Sequence, residues 1–394
     1  MKTLSASAFA LLVSSVTSDV SLLTKFLAPN SNCIDGSSGG YYGPDPDISS
    51  NTTTRLVVFL NGGGACTSKA NCESWAKSLG SSDKWPNTKK SGTPLHEEDC
   101  EVNPDWCDAL KVVVPYCTGD VHSGNRSQPA WDDDFGYFSG HRNVVSVFAD
   151  ILSKYEVGNV KEVLLSGGSA GGFGTFLNID YVRSLFSHDV VVKGSPLAGY
   201  FIPGELPGLD SDTPWMVSDF AHQSKGETGN SKSDGAVADL WGSVNISQAC
   251  VDDLGDEYRQ CQSAHVAATY IETPLFWAQN QFDTNQIFSG EGAPQDGSDE
   301  ETSYIKYFGE ATLSSMKSQL PGKDGAFVPS CLDHVGMKSK IGEDEYYAAL
   351  GDWYFERRTD EAKVYDDCVS EDGLPCGNCK KSEELWEMGS EVFM

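Results

Sequence analysis

Residues Lys161–Phe176 read KEVLLSGGSAGGFGTF. An apolar run breaks off into glycine, serine and alanine. A helical pattern follows, with Phe173, Phe176, Leu177 and Tyr181 on one face. Gly167-Gly168-Ser169-Ala170-Gly171 fits G-x-S-x-G between a predicted strand and a predicted helix. In that setting a serine rides a sharp strand-to-helix turn with its hydroxyl exposed. Glycine accepts backbone angles that a Cβ opposes, and small neighbours keep the hydroxyl accessible. A purely structural glycine turn is the plain alternative. A phosphate loop is a poor one, because the lysine of G-x-x-x-x-G-K-[ST] is missing and the dinucleotide spacing does not fit.

The surroundings carry the same strand–helix alternation. Short apolar runs occupy Leu56–Leu60, Lys111–Val114, Val163–Leu165, Val190–Val192, Leu275–Ala278 and Ala326–Val328. Helical patterns lie between and after them, at His141–Tyr155, Phe173–Phe186, Cys250–Tyr270, Ser303–Leu320 and Glu343–Glu356. This alternation predicts an α/β fold with a mostly parallel central sheet flanked by helices. No internal repeat is visible. The acidic stretch Ser289–Ser303 reads as a loop, and Asp367–Lys381 reads as a disulfide-tied tail.

A serine hydroxyl is a weak nucleophile until a general base takes its proton and a carboxylate orients that base. On an α/β-hydrolase frame the chain order is serine, acid, histidine. Of the seven histidines, four follow Ser169, among them His222, His265 and His334. His265 sits in a helical pattern and His222 in a polar stretch, whereas His334 follows the strand-like run GAFVPSCLDH. Open α/β sheets place their sites at such strand ends. Asp283 ends the comparable apolar run TPLFWAQNQFD. Asp333 adjoins His334, but sequence neighbours face each other poorly. An oxyanion hole needs backbone N–H groups, one from the residue after the nucleophile, Ala170, and one from an earlier glycine loop. RLVVFLNGGGAC supplies that loop at Gly62, Gly63 and Gly64.

The chain has 394 residues, 39% of them hydrophobic, enough for a sizeable core. Its net charge of −29 argues against nucleic acid or an anionic membrane as partner. Lys2, the apolar stretch Leu4–Val16 and Val16-Thr17-Ser18 read as a secretory signal over residues 1–18. No later segment is long and apolar enough to span a membrane. The 12 cysteines, an even number, fit an oxidising compartment. Sequons at Asn51, Asn125 and Asn245 agree with export. CGNC at Cys376–Cys379 lacks the βαβ context of a redox motif and the partners of a zinc site, and is expected to form structural disulfides.

Taken together, these stretches resemble the pectin acetylesterase family, which includes the Notum branch. The matching segments are NCIDGSSGGYY, VVFLNGGGACTSKANCESW, VVVPYCTGDVHSG, GYFSGHRNV, VLLSGGSAGG, NQFD and PSCLDH, in family order from Cys33 to His334. The resemblance implies a secreted serine carboxylesterase of α/β-hydrolase type, without cofactor or metal, over residues 19–394 as one domain. Carried over, Ser169 is the nucleophile, Asp283 the acid and His334 the base, with Gly63, Gly64 and Ala170 as oxyanion donors. Gly168 replaces a common cysteine or threonine, Gly64 a tryptophan, Leu197 an aspartate, and Val335 the cysteine of plant members. The expected substrate is an O-acetyl ester on an extracellular polysaccharide, and the expected state is a monomer. The alternatives are a Notum-like deacylase of longer acyl esters, an inactive glycan- or partner-binding member, and a serine peptidase.

Overall fold

A computed structural model of the chain describes residues 22–46, 53–91, 94–96, 98–101, 103–155, 157–202, 232–243, 247–289, 297–337, 339–358, 362–368 and 374–375. The expected signal over 1–18, Asn51, His222, Asn245 and the CGNC segment lie outside them.

The strands are β1 (Leu22–Asn32), β2 (Ser38–Gly43), β3 (Arg55–Leu60), β4 (Thr88–Lys90), β5 (Leu110–Val114), β6 (Glu162–Gly168) and β7 (Val191–Leu197). They continue with β8 (Phe276–Ala278), β9 (Phe282–Asp283), β10 (Gly325–Val328), β11 (Leu332–Asp333), β12 (Lys340–Ile341), β13 (Asp344–Glu345) and β14 (Lys363–Tyr365). The helices are α1 (Lys69–Ala76), α2 (Gly140–Lys154), α3 (Ala170–Ser184), α4 (Lys232–Trp241), α5 (Gln248–Leu254), α6 (Ala264–Ala267), α7 (Thr284–Ser289), α8 (Asp299–Gln319) and α9 (Tyr346–Tyr354).

The main sheet runs β14-β10-β8-β7-β6-β3-β5-β2-β1-β4. From β14 to β5 every pairing is parallel, and β2, β1 and β4 complete one edge antiparallel. Strands of a parallel sheet are buried on both faces and so read as continuous apolar runs. In β3, Leu56, Val58 and Leu60 pack into the core that holds α2, α3 and α8. Val57 and Phe59 point the other way, into the cluster under α9. Register aligns the strand ends: Leu60 faces Gly167, Gly168 faces Leu197, and Leu197 faces Ala278. The C-terminal edge formed there is where α/β sheets hold ligands. This is the architecture of an α/β hydrolase, as the sequence predicts.

Some elements differ from expectation. The helix expected over Cys250–Tyr270 breaks into α5, a 3₁₀ segment and α6. Gly255, at φ +55°, ends α5, and the Cys250–Cys261 disulfide clasps the turn. α8 begins inside the expected acidic loop, because the Ser298 side chain caps Glu301 N–H and Asp299, Glu300 and Glu301 load the first turn with negative charge. The start of the expected helix Glu343–Glu356 is spent on the β12–β13 hairpin, which turns at Gly342 with φ +61°.

Disulfides join Cys33 to Cys117, Cys66 to Cys72, Cys100 to Cys107 and Cys250 to Cys261. Cys331 and Cys368 are disulfide-bonded as well, and no described cysteine is free. No helix among the described residues is long and apolar enough to cross a membrane.

Candidate active site

Ser169 joins β6 to α3 with φ +56° and ψ −121°, a strained conformation for a residue with a Cβ. Its N–H donates to Leu197 O at 3.0 Å, and its own carbonyl accepts from Phe173 N. The glycines around it serve contact as well as conformation. A Cβ on Gly171 would stand 1.9 Å from Leu60 O, and one on Gly167 would stand 2.3 Å from Gly171 O. Backbone therefore packs directly on backbone where α3 meets the end of β3. Gly168 differs, since a Cβ there would find only Phe59 and Val335 side-chain atoms, each at 3.6 Å.

The loop after β3 closes over the same turn. A Cβ on Gly62 would lie 2.8 Å from Ser169 Cβ and 3.2 Å from Ala170 N. Gly63 and Gly64 have φ +152° and +75°, in the region that favours glycine. The N–H groups of Gly63, Gly64 and Ala170 donate to no other group among the described residues.

Asp283 and His334 come together through a short parallel pairing outside the main sheet, in which β9 lies beside β11 and Asp283 faces Asp333. His334 Nδ1 lies 2.9 Å from both Asp283 oxygens. Asp283 is fully buried and its carboxylate is saturated with donors. Oδ1 accepts from the N–H groups of Asn285 and Gln286, and Oδ2 from Gln279 Nε2 at 2.8 Å. Asn280 Nδ2 donates to the carbonyls of His334 and Gly336, holding the histidine loop. Burial of the imidazole lowers the His334 pKa, but the charge and hydrogen bond of Asp283, with a further contribution from Asp333, outweigh it and leave it raised. With Nδ1–H given to Asp283, Nε2 is the free base, and this buried atom has no hydrogen-bond partner among the described residues. Val335 sits against Gly168, so the loop carrying His334 adjoins the Ser169 turn. Ser169 Oγ and His334 Nε2 make no direct hydrogen bond.

Of the other histidines, His265 lies in α6. Sequence reading passed over Gln279, Asn280, Trp75 and His122. Trp75 Nε1 donates to Gly63 O at 2.7 Å, and His122 Nε2 bonds Asn61 O at 2.9 Å. Asn280 lies in the NQFD run, and Trp75 and His122 lie in the matched segments ending CESW and VHSG, but nothing there marked them as donors. A groove of about 540 Å³ between β1 and α2 includes Asn125, His141 and Arg142 and contains none of the candidate residues.

The fold and the strained serine turn define an α/β-hydrolase-type protein. The profile of the pectinacetylesterase family matches residues 13–376, and the chain belongs to that family. It is 30% identical over 317 residues to palmitoleoyl-protein carboxylesterase notum1a of Danio rerio, covering 77% of this chain and 58% of the relative. It is 31% identical to palmitoleoyl-protein carboxylesterase notum2 of Xenopus laevis, covering 77% and 60%. The chain thus spans somewhat under two thirds of the length of these curated relatives. Among solved structures, the Wnt deacylase Notum from Drosophila superposes with a TM-score of 0.73 at 25% identity, covering 88% of this chain and 97% of that one.

Proposed function

We propose that this chain is a secreted carboxylic ester hydrolase that works through a Ser169–His334–Asp283 triad. The observation that carries the reading is the His334–Asp283 pair, with Nε2 buried and unpartnered on a loop against the strained Ser169 turn. Ser169 Oγ attacks the ester carbonyl while His334 Nε2 takes its proton. Asp283 keeps Nδ1 protonated and stabilises the imidazolium. The carbonyl oxygen becomes an oxyanion facing the N–H groups of Gly63, Gly64 and Ala170. The tetrahedral intermediate collapses and His334 returns the proton to the leaving alcohol. Water activated by His334 then releases the acid from the acyl-enzyme and regenerates the serine.

For substrate, the family supports an O-acetyl group on an extracellular polysaccharide. A second reading, removal of a longer acyl chain from a protein, is supported by the relatives, which are palmitoleoyl-protein carboxylesterases. Export is supported by the leader-like N-terminus and the oxidised cysteines. The test is Ser169→Ala, which should leave the fold intact and cut p-nitrophenyl acetate hydrolysis by about 10⁴-fold. A variant retaining a tenth of wild-type activity overturns the assignment. Relative rates on acetylated pectin and on a palmitoleoylated peptide separate the two substrate readings.

A further inference from the structure

Val121 and His122 are consecutive non-glycine residues with positive φ, +49° and +59°. A β-branched residue in that region is an outlier, and strain of about 1–3 kcal/mol per residue persists only where the surroundings impose it. Here the strain buries the His122 ring beneath the glycine loop of the candidate oxyanion hole. His122 is 2% exposed, and burial lowers its pKa to about 4, so the ring is neutral at ordinary pH. Its Nε2 bonds Asn61 O, and because a carbonyl only accepts, Nε2 carries the proton.

The other end of the loop is held in the same way. The Trp75 indole N–H donates to Gly63 O. Between the two donors stands Tyr116. Its ring centroid is 5.4 Å from that of Trp75 and 4.8 Å from that of His122. The Tyr116 ring also packs on Gly63, where a Cβ would meet its Cδ1 at 3.2 Å. Tyr116 is in turn fixed by its hydroxyl, which accepts from Val121 N at 2.7 Å. The Cys66–Cys72 disulfide ties α1, which carries Trp75, to the segment just after the glycines.

A trans peptide is planar, with its C=O and the next residue's N–H pointing in opposite directions. Fixing Gly63 O therefore fixes the direction of Gly64 N–H, and fixing Asn61 O fixes that of Gly62 N–H. Three glycines in succession have no side chains to do this for themselves. We propose that Trp75 and His122, coupled through the Tyr116 ring, are positioning residues: His122 pins the start of the glycine loop at Asn61 O and Trp75 its end at Gly63 O, so that Gly64 N–H is aimed at the oxyanion. The proposal rests on the esterase reading above. It predicts that either donor's loss weakens transition-state binding more than substrate binding, because the oxyanion develops only during reaction.

The experiment compares the wild-type enzyme with Trp75→Phe, which keeps an aromatic ring and removes the N–H. kcat and KM for p-nitrophenyl acetate are measured together with affinity for an alkyl boronic acid that forms a tetrahedral adduct on the serine. Trp75→Phe should lose about 10- to 100-fold in kcat with KM within about twofold, and boronate affinity should fall in parallel with kcat/KM. A kcat within threefold of wild type, or a change confined to KM, overturns the proposal. Should Trp75→Phe not fold, His122→Gln and His122→Leu decide. The glutamine retains a neutral N–H and should keep most of the kcat that the leucine loses, whereas equal losses overturn the proposal. Failure of this brace leaves Ser169-dependent hydrolysis by the wild type untouched. A wild type without Ser169-dependent hydrolysis overturns the esterase reading and the brace with it.

Discussion

Two glycines three residues apart in the serine turn should respond very differently to the same substitution. In Gly171→Ala the new methyl would stand 1.9 Å from Leu60 O and 2.9 Å from Asn61 O, both backbone atoms at the end of β3. No rotamer relieves that contact, so α3 must retreat by at least about 1 Å before the methyl reaches van der Waals range. Overpacking of this kind costs about 1–3 kcal/mol or more. Against it stands helix propensity, which favours alanine over glycine by up to about 1 kcal/mol. The clash wins, leaving a net loss of about 2 kcal/mol and a Tm lower by about 2 °C. Retreat of α3 also displaces Ser169 and Ala170 from Gly62, and a 1 Å misplacement of reacting groups costs about 10²-fold in rate. In Gly168→Ala the nearest atoms are side-chain carbons at 3.6 Å, an ordinary contact, and stability should change by less than about 1 kcal/mol. Scanning calorimetry reads the first effect, and p-nitrophenyl acetate turnover by Gly171→Ala reads the second. If Gly171→Ala matches Gly168→Ala in Tm and keeps wild-type turnover, the backbone-on-backbone account of the turn is wrong.

Asp283→Asn turns an amide toward the donors that surround the carboxylate and should lower kcat by about 10⁴-fold in a folded protein. Retention of a tenth of wild-type turnover would remove Asp283 from the triad. The raised His334 pKa places the acid limb of kcat/KM above the ordinary imidazole value, since the base must be neutral to act. The same pair stabilises the fold fully below the unfolded pKa and loses that contribution as pH rises through the folded one. A limb below the ordinary value in the wild type would contradict the ion pair. Asn125 is exposed and borders the groove beside α2, so protein secreted from eukaryotic cells should carry a glycan there. Peptide mass spectrometry after enzymatic deglycosylation checks this, with unmodified Asn125 as the contrary result.

The central strands and the serine turn were legible because the information is local. Leu56–Leu60 and Ala326–Val328 are apolar on both faces, and Lys111–Val114 is so apart from Lys111, as a parallel strand covered on both sides requires. Gly167–Gly171 marks its own turn, since a sharp strand-to-helix junction packed on Leu60 tolerates almost no side chain. β1 and β4 escaped because they are half-open to solvent and carry many polar residues, and β2 escaped because its buried run SGGYYG is half glycine, which lacks β propensity. Cys250–Tyr270 misled because its helical pattern held no sign that a disulfide and a left-handed glycine would fold it back on itself. Chain order and strand ends made Asp283 and His334 candidates. Their 2.9 Å contact depends on the pairing of β9 with β11, between segments 50 residues apart. Trp75, His122 and Gln279 were invisible for a related reason. Each acts by donating to a carbonyl or carboxylate that a distant part of the chain brings within reach. A residue's type declares that it can donate, but only the packed tertiary structure decides what stands 3 Å away to accept.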